Sequence, residues 1–183
     1  PAGALFYSGC FALTPEEEMS WGIRTIRGTP YSLTHLNSFV LAVPGGSKGY
    51  RVQVVFGAHC FTRDVLPADT PDLLFMDGGR PRTFCINRYG HSLHLPGAIC
   101  QAVNGNVCLS GKNLVVGTTL PGLVGPYLIA FTLRRAGGKN IDLKMDVLSA
   151  HHRPNYVANF PTAKLGVVIA CAVNGTPVRW AKK

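Results

Sequence analysis

Histidines, arginines and hydroxyl side chains gather in three short stretches of this chain. The first, His59-Cys60-Phe61-Thr62-Arg63, closes an alternating run that begins at Tyr50. A histidine can exchange a proton near neutral pH, and a neighbouring guanidinium such as Arg63 can steady negative charge that develops beside it. Period-two alternation puts Arg51, Gln53 and His59 on the more polar face of a half-buried strand. The second stretch runs from Arg82 to Pro96 and is the densest, with Arg82, Arg88, Tyr89, His91, Ser92 and His94 in a strand-to-helix passage. Such passages hold phosphate through guanidinium groups and backbone N–H groups. Arg88 and His91 are the functional candidates here, with Tyr89 as an orienting group, whereas Ser92 and His94 read as structural. The third is Ser149-Ala150-His151-His152-Arg153. On a straight strand His151 joins the apolar set and His152 joins Lys144. A bulge would exchange them, so both stay candidates, beside Ser149 and Arg153.

Together these residue types match metal-independent RNA cleavage. One imidazole takes the proton of a 2′-hydroxyl, a cation stabilises the phosphorane-like charge, and a second imidazole protonates the leaving oxygen. His59 with His151 or His152 is the expected acid–base pair. Arg88 and Arg153 would hold the phosphate, and Tyr89, His91 and Ser149 would orient it. No metal or cofactor is expected. Adjacent strand residues such as His151 and His152 point to opposite faces, no C-x-x-C occurs, and Asp64, Asp69, Asp72 and Asp77 lie in a Pro-rich segment that reads as a solvated turn.

The charge pattern names the partner class. Between Asp77 and Asp142 there is no acid, and none follows Asp146. Residues 1–50 are neutral, so the formal net charge of +9 belongs to residues 51–183. A fold that tolerates such self-repulsion often meets a phosphate backbone. Arg63, Arg82, Arg88, Arg134, Arg135 and Arg153 are the expected contacts, with RNA favoured over DNA.

At 183 residues, 46% of them apolar, the chain can build a real core as one domain. The expected organisation is an irregular lead-in over residues 1–29, with a short helix start at Thr14-Pro15-Glu16, then a basic domain over residues 30–183. Its class is α+β: a curved, mainly antiparallel sheet of about five strands with one or two short helices. Strands are expected over 50–62, 127–134, 141–150 and, as a central strand covered on both faces, 164–173. A short helix is expected at Ser32–Leu36 and another from Pro96 through Val103, and a loop over 63–80 with a turn at Asp77-Gly78-Gly79. Cysteines 10, 60, 85, 100, 108 and 171 sit mostly in apolar surroundings, which suits free buried thiols in a reducing, cytoplasmic compartment. No run approaches the ~20 apolar residues of a membrane helix.

The motifs Phe56-Gly57-x-His59-Cys60-Phe61-Thr62, Arg82-x-Phe84-Cys85-x-x-Arg88-Tyr89-Gly90-His91-Ser92, Gly125-Pro126-Tyr127 and Ser149-Ala150-His151-x-Arg153 resemble a group of small, uncharacterised proteobacterial and prophage-encoded proteins. The resemblance covers residues 30–180. More distantly, short helices before a curved antiparallel sheet are similar to the barnase–EndoU–colicin–RelE class of metal-independent ribonucleases. That likeness implies a toxin or effector, with a cognate inhibitor protein as a further partner. Its alternative is a non-enzymatic nucleic-acid-binding or prophage regulatory protein.

Overall fold

The computed structural model describes residues 10–12, 20–138, 140–156 and 160–181, the first three by backbone alone. The expected helix start at Thr14 lies outside the described residues. Along the chain come β1 (Cys10–Ala12), the hairpin β2 (Ile23–Ile26) and β3 (Thr29–Ser32), then β4 (Phe39–Val43) and β5 (Tyr50–Phe56). A small sheet follows, built from β6 (Thr62–Arg63), β7 (Leu74–Asp77) and β8 (Arg80–Phe84). Helices α1 (Ile86–Ser92) and α2 (Leu95–Ala102) lead into the hairpin β9 (Asn106–Ser110) and β10 (Asn113–Thr118). The long strands β11 (Tyr127–Arg135) and β12 (Leu143–His152), then β13 (Thr162–Lys164) and helix α3 (Leu165–Asn174), complete it.

The fold is α+β, and its main sheet is larger than the five or so strands expected. Seven strands run in the order β4-β5-β12-β11-β10-β9-β13, with short β1 as an eighth at the β4 edge. Only β5 and β12 pair in parallel; the other pairs of this sheet are antiparallel. One face carries the core. Val54, Phe56, Ile129, Phe131, Met145 and Val147 are all essentially inaccessible, and α1, α2 and α3 lie against the strands that carry them and against β10. The opposite face is open in that it carries no α-helix among the described residues, although Val40, Val55 and Leu128 on it are buried.

Residues 164–173 correct the strand reading. Leu165–Asn174 is a helix whose buried positions are Leu165, Val168 and Ile169, an i, i+3, i+4 stripe. Gly175 ends it in the left-handed region at φ 67°, with its N–H bonded to the Cys171 carbonyl. The β-branched run mimicked a doubly covered strand, yet Val167 is half exposed. The signal that decides is the Asn174-Gly175 stop.

Other expectations shift less. The helix from Pro96 is α2, whose buried Leu95, Ala98, Ile99 and Ala102 face inward at helical spacing. The run from Tyr50 stops at Phe56, and His59 stands in a 3-10 turn, Ala58–Cys60, rather than on a strand. The 63–80 segment contains β7 and folds on the Asp77-Gly78-Gly79-Arg80 turn. Ile26 is buried and the Trp21 ring sits 5.1 Å from that of Phe61, so residues 20–29 pack onto the domain. Cys60, Cys85 and Cys171 carry free thiols but Cys100 is disulfide-bonded, which corrects the free-thiol expectation there and removes its support for a reducing compartment.

Candidate functional site on the open sheet face

A single irregularity decides which groups reach the open face. Opposite Ala130 and Phe131 of β11, β12 offers Ser149 and Val147, so Leu148 is an extra, bulged residue. Alternation restarts one residue out of step after it. Ala150 joins the core, fully buried, while Ser149 pairs with Ala130 and His151 with Leu128 on the open face. His152 turns to the helix side, opposite Tyr127, and its Nε2 donates to the Val124 carbonyl at 2.7 Å. Straight-strand parity had the two histidines reversed.

His59 reaches the same face by another route. Gly57 donates its N–H to the Val147 carbonyl at 2.8 Å, and a Cβ there would stand 3.2 Å from that oxygen, so a side chain would push the turn slightly off β12. Arg88 holds the turn from the helix side, donating to the carbonyls of His59 (3.2 Å) and Thr62 (2.7 Å). His59 Nε2 lies 3.4 Å from Asp77 Oδ2, both side chains about 40% exposed. Burial is the main force holding the His59 pKa below the ordinary histidine value; Arg82 adds to it and Asp77 opposes it. His59, Asp77, Trp21 and Ser149 line a cavity of about 430 Å³.

Beyond Ser149 lies a second cavity of about 490 Å³, with Leu128 and Ala130 on its floor and His151, Arg153 and Tyr156 around it. Ser149 therefore links the two: it lines the first, and its cross-strand partner Ala130 lines the second. Burial, then Arg153, then Arg88, lowers the His151 pKa. Three buried polar atoms on these walls have no partner among the described residues: His151 Nδ1, Tyr156 Oη and Trp21 Nε1.

The remaining candidates, Arg134 excepted, serve the covered side or the hairpins. Arg63 makes a two-pronged pair with Asp69, which also accepts bonds from Leu66 N–H and Thr83 Oγ1. These contacts, Arg63 first, hold the Asp69 carboxyl well below its usual range. Arg82 is buried, bonded to Thr62 and Asp64. Arg135 donates to the Val173 carbonyl at the end of α3, where a cation meets the negative end of the helix. Arg134 pairs with Asp146 at 2.7 Å on the open face. Tyr89 packs against Tyr31 and Phe84 and donates to the Ser32 carbonyl. His91 stacks edge-on to Tyr127 at 5.8 Å, and its pKa is lowered by burial first, then by His152 and His94. Ser92 accepts from His35 Nε2 and donates to the Tyr89 carbonyl.

A model of one protein family, the YjaZ family, matches residues 23–171. The chain belongs to the YjaZ family. The match takes in all three candidate stretches and begins at β2, inside what sequence reads as a lead-in. No curated protein and no solved structure matches the chain.

Sequence reasoning missed three residues of this candidate site. Asp77 read as a solvated turn residue, but the turn it starts delivers it to His59. Trp21 and Tyr156 are isolated in sequence, with no spacing that ties them to the histidines. Among the described residues no His, Cys, Asp and Glu side chains group as metal ligands, and no helix is long and apolar enough to cross a membrane.

Proposed function

We propose that the open sheet face binds RNA and cleaves it without a metal, with His59 and His151 as the acid–base pair. The observation that carries this reading is the Leu148 bulge, which turns Ser149 and His151 onto the face where His59 and Asp77 stand. His59, steadied by Asp77, takes the 2′-hydroxyl proton. The 2′-oxygen attacks phosphorus, the bond to the 5′-oxygen breaks, and protonated His151 gives that oxygen its proton, leaving a 2′,3′-cyclic phosphate and a free 5′-hydroxyl. Arg153 neutralises charge on the phosphate, and Ser149 orients it. Arg88, Tyr89, His91 and His152 support the fold around the site. The role is that of a cytoplasmic toxin or effector held by an inhibitor protein; there the Cys100 bond would stand reduced.

A second reading, polynucleotide binding without chemistry, is favoured by one observation: both imidazoles have lowered pKa values, so neither is a ready proton donor at neutral pH. Cleavage should accordingly be fastest below pH 6.5, the ordinary histidine value. The test is RNA cleavage in EDTA with wild type, His59→Ala and His151→Ala. Each substitution should cost ~10²–10⁴-fold in rate and leave RNA affinity nearly unchanged. Binding without cleavage at any pH selects the second reading. Cleavage that survives both substitutions defeats the first.

A further inference from the structure

The cavity beside His151 has the features of a ligand site rather than of a packing defect. Its floor is flat and apolar, made by Val115, Leu128 and Ala130, which sit side by side on β10 and β11 and face the same way. Adjacent strands lie ~4.8 Å apart, so this floor matches the width of a planar ring. At about 490 Å³ the space falls within the range of small-molecule pockets.

The wall is built deliberately. Arg153 donates its N–H to the Pro126 carbonyl at 3.0 Å, and Tyr156 closes a turn onto the Arg153 carbonyl at 3.0 Å. Gly125, at φ 89°, makes the approach possible: a Cβ there would stand 2.8 Å from Pro154 Cα, a distance real side chains do not reach. Two of the groups around the floor, His151 Nδ1 and Tyr156 Oη, are buried with no partner among the described residues. A buried polar atom left unpaired is costly, so a ligand or water that bonds it is favoured. At the rim, the exposed Arg153 guanidinium has no ion pair among the described residues, and Lys112 stands in the turn two residues from Ser110 of the same wall.

A flat apolar floor, polar atoms at its edge and unneutralised cations at its mouth fit one chemistry. We propose that this cavity binds a nucleoside monophosphate unit, with its base on Val115, Leu128 and Ala130, its base edge bonded to His151 and Tyr156, and its phosphate at Arg153. The unit is either one nucleotide of an RNA strand or a free mononucleotide. In the first case it rests on the ribonuclease reading and is the specificity pocket beside the scissile bond. In the second it stands alone.

Calorimetric titration of the full chain tests this with the four nucleoside 5′-monophosphates, the matching nucleosides, inorganic phosphate and a short RNA. At least one monophosphate should bind about tenfold more tightly than its nucleoside, with inorganic phosphate weaker than either. Tyr156→Phe deletes only the unpartnered hydroxyl, so melting temperature should hold or rise while nucleotide affinity falls about 5–10-fold. Arg153→Gln should weaken the monophosphate and leave the nucleoside unchanged. Ala130→Trp should fill the floor and abolish both. Equal affinity for nucleoside and monophosphate, no nucleotide binding at millimolar concentration, or full affinity in both Tyr156→Phe and Ala130→Trp overturns the proposal. RNA cleavage that persists without mononucleotide binding rejects the pocket and spares the ribonuclease reading. Mononucleotide binding in a protein that neither binds nor cleaves RNA does the reverse.

Discussion

The two faces of the main sheet carry similar side chains and use them differently. On the helix-covered side, His91 stacks on Tyr127, His152 bonds a carbonyl, Arg88 bonds two, and Arg135 caps α3. His152, Arg88 and Arg135 spend polar capacity inside the fold, while the buried Tyr127 hydroxyl beside His91 has no partner among the described residues. On the open side, His151 and Tyr156 keep unpartnered atoms, His59 meets a single carboxylate at long range, and Arg153 has no ion pair among the described residues. Residue type and clustering are therefore poor guides to function in this chain. What separates His151 and Arg153 from His152 and Arg88 is how much of each group's bonding capacity is already spent. The same holds for the net charge: the aspartates of the 64–77 segment are bonded to Arg82, Arg63, Arg27 and His59, so charge is balanced locally there and the surplus of +9 is carried by cations elsewhere.

Neighbours on β11 give the largest test of this division. Phe131 is fully buried under the helices, while Thr132 faces the open side opposite Asp146. Phe131→Ala should destabilise by about 3–5 kcal/mol in urea unfolding, through lost burial and the cavity left behind. Thr132→Ala should cost below about 1 kcal/mol. Comparable losses at both positions would mean that both faces are packed, and would remove the open face as a binding surface.

Much of the fold was legible because its signals are local. Pro96 and the helical spacing of Leu95, Ala98, Ile99 and Ala102 announce α2, and Asp77-Gly78-Gly79 announces the β7–β8 turn. The rest depends on tertiary context. Leu165–Val173 is apolar enough to pass for a buried strand, and only its glycine stop and one-sided burial make it a helix. Of the expected site residues, His59, Ser149, His151 and Arg153 line the two cavities of the candidate site, but its geometry was not legible. One bulged residue, Leu148, exchanges His151 with His152, and no local composition marks it. Nor could spacing show that Arg82 is buried against Thr62 and that Arg88 faces two carbonyls.

Titration offers a middle-sized test. His35, His59, His91 and His151 all have lowered pKa values, with burial the leading cause for each. Their folded forms prefer to be neutral, so between those lowered values and the unfolded value of 6.5 the unfolded chain binds more protons. Stability should be fully present above pH 6.5 and decline as pH falls through the histidine range. A second decline should begin below the ordinary Asp value of 3.8, as protons compete with Arg63 for Asp69. Bound polynucleotide separates the faces: phosphate near His59 and His151 should raise their titration midpoints in proton NMR, leaving His35 and His91 unmoved. A uniform shift of all four would erase the distinction.

The smallest expected effect concerns Asp146, an acid on the basic open face. It pairs with Arg134 at 2.7 Å, approaches Lys144 at 4.0 Å, and lines the His59 cavity. Arg134 is more than half exposed, so the pair contributes below about 1 kcal/mol to stability. Its larger consequence is for binding, because a phosphate that reaches Arg134 must compete with a carboxylate already there. Asp146→Asn keeps the shape, removes the competing charge and frees two cations. It should leave the urea midpoint nearly unchanged and tighten polynucleotide binding about 3–5-fold at low salt. The dependence of log affinity on log salt should steepen by ~0.9 for each phosphate newly contacted. The matched substitution on the hairpin side, Asp72→Asn, frees Arg27 instead. If polynucleotide runs along the open face, that variant should bind as wild type does; equal gains from both would show that affinity follows total charge and not this face.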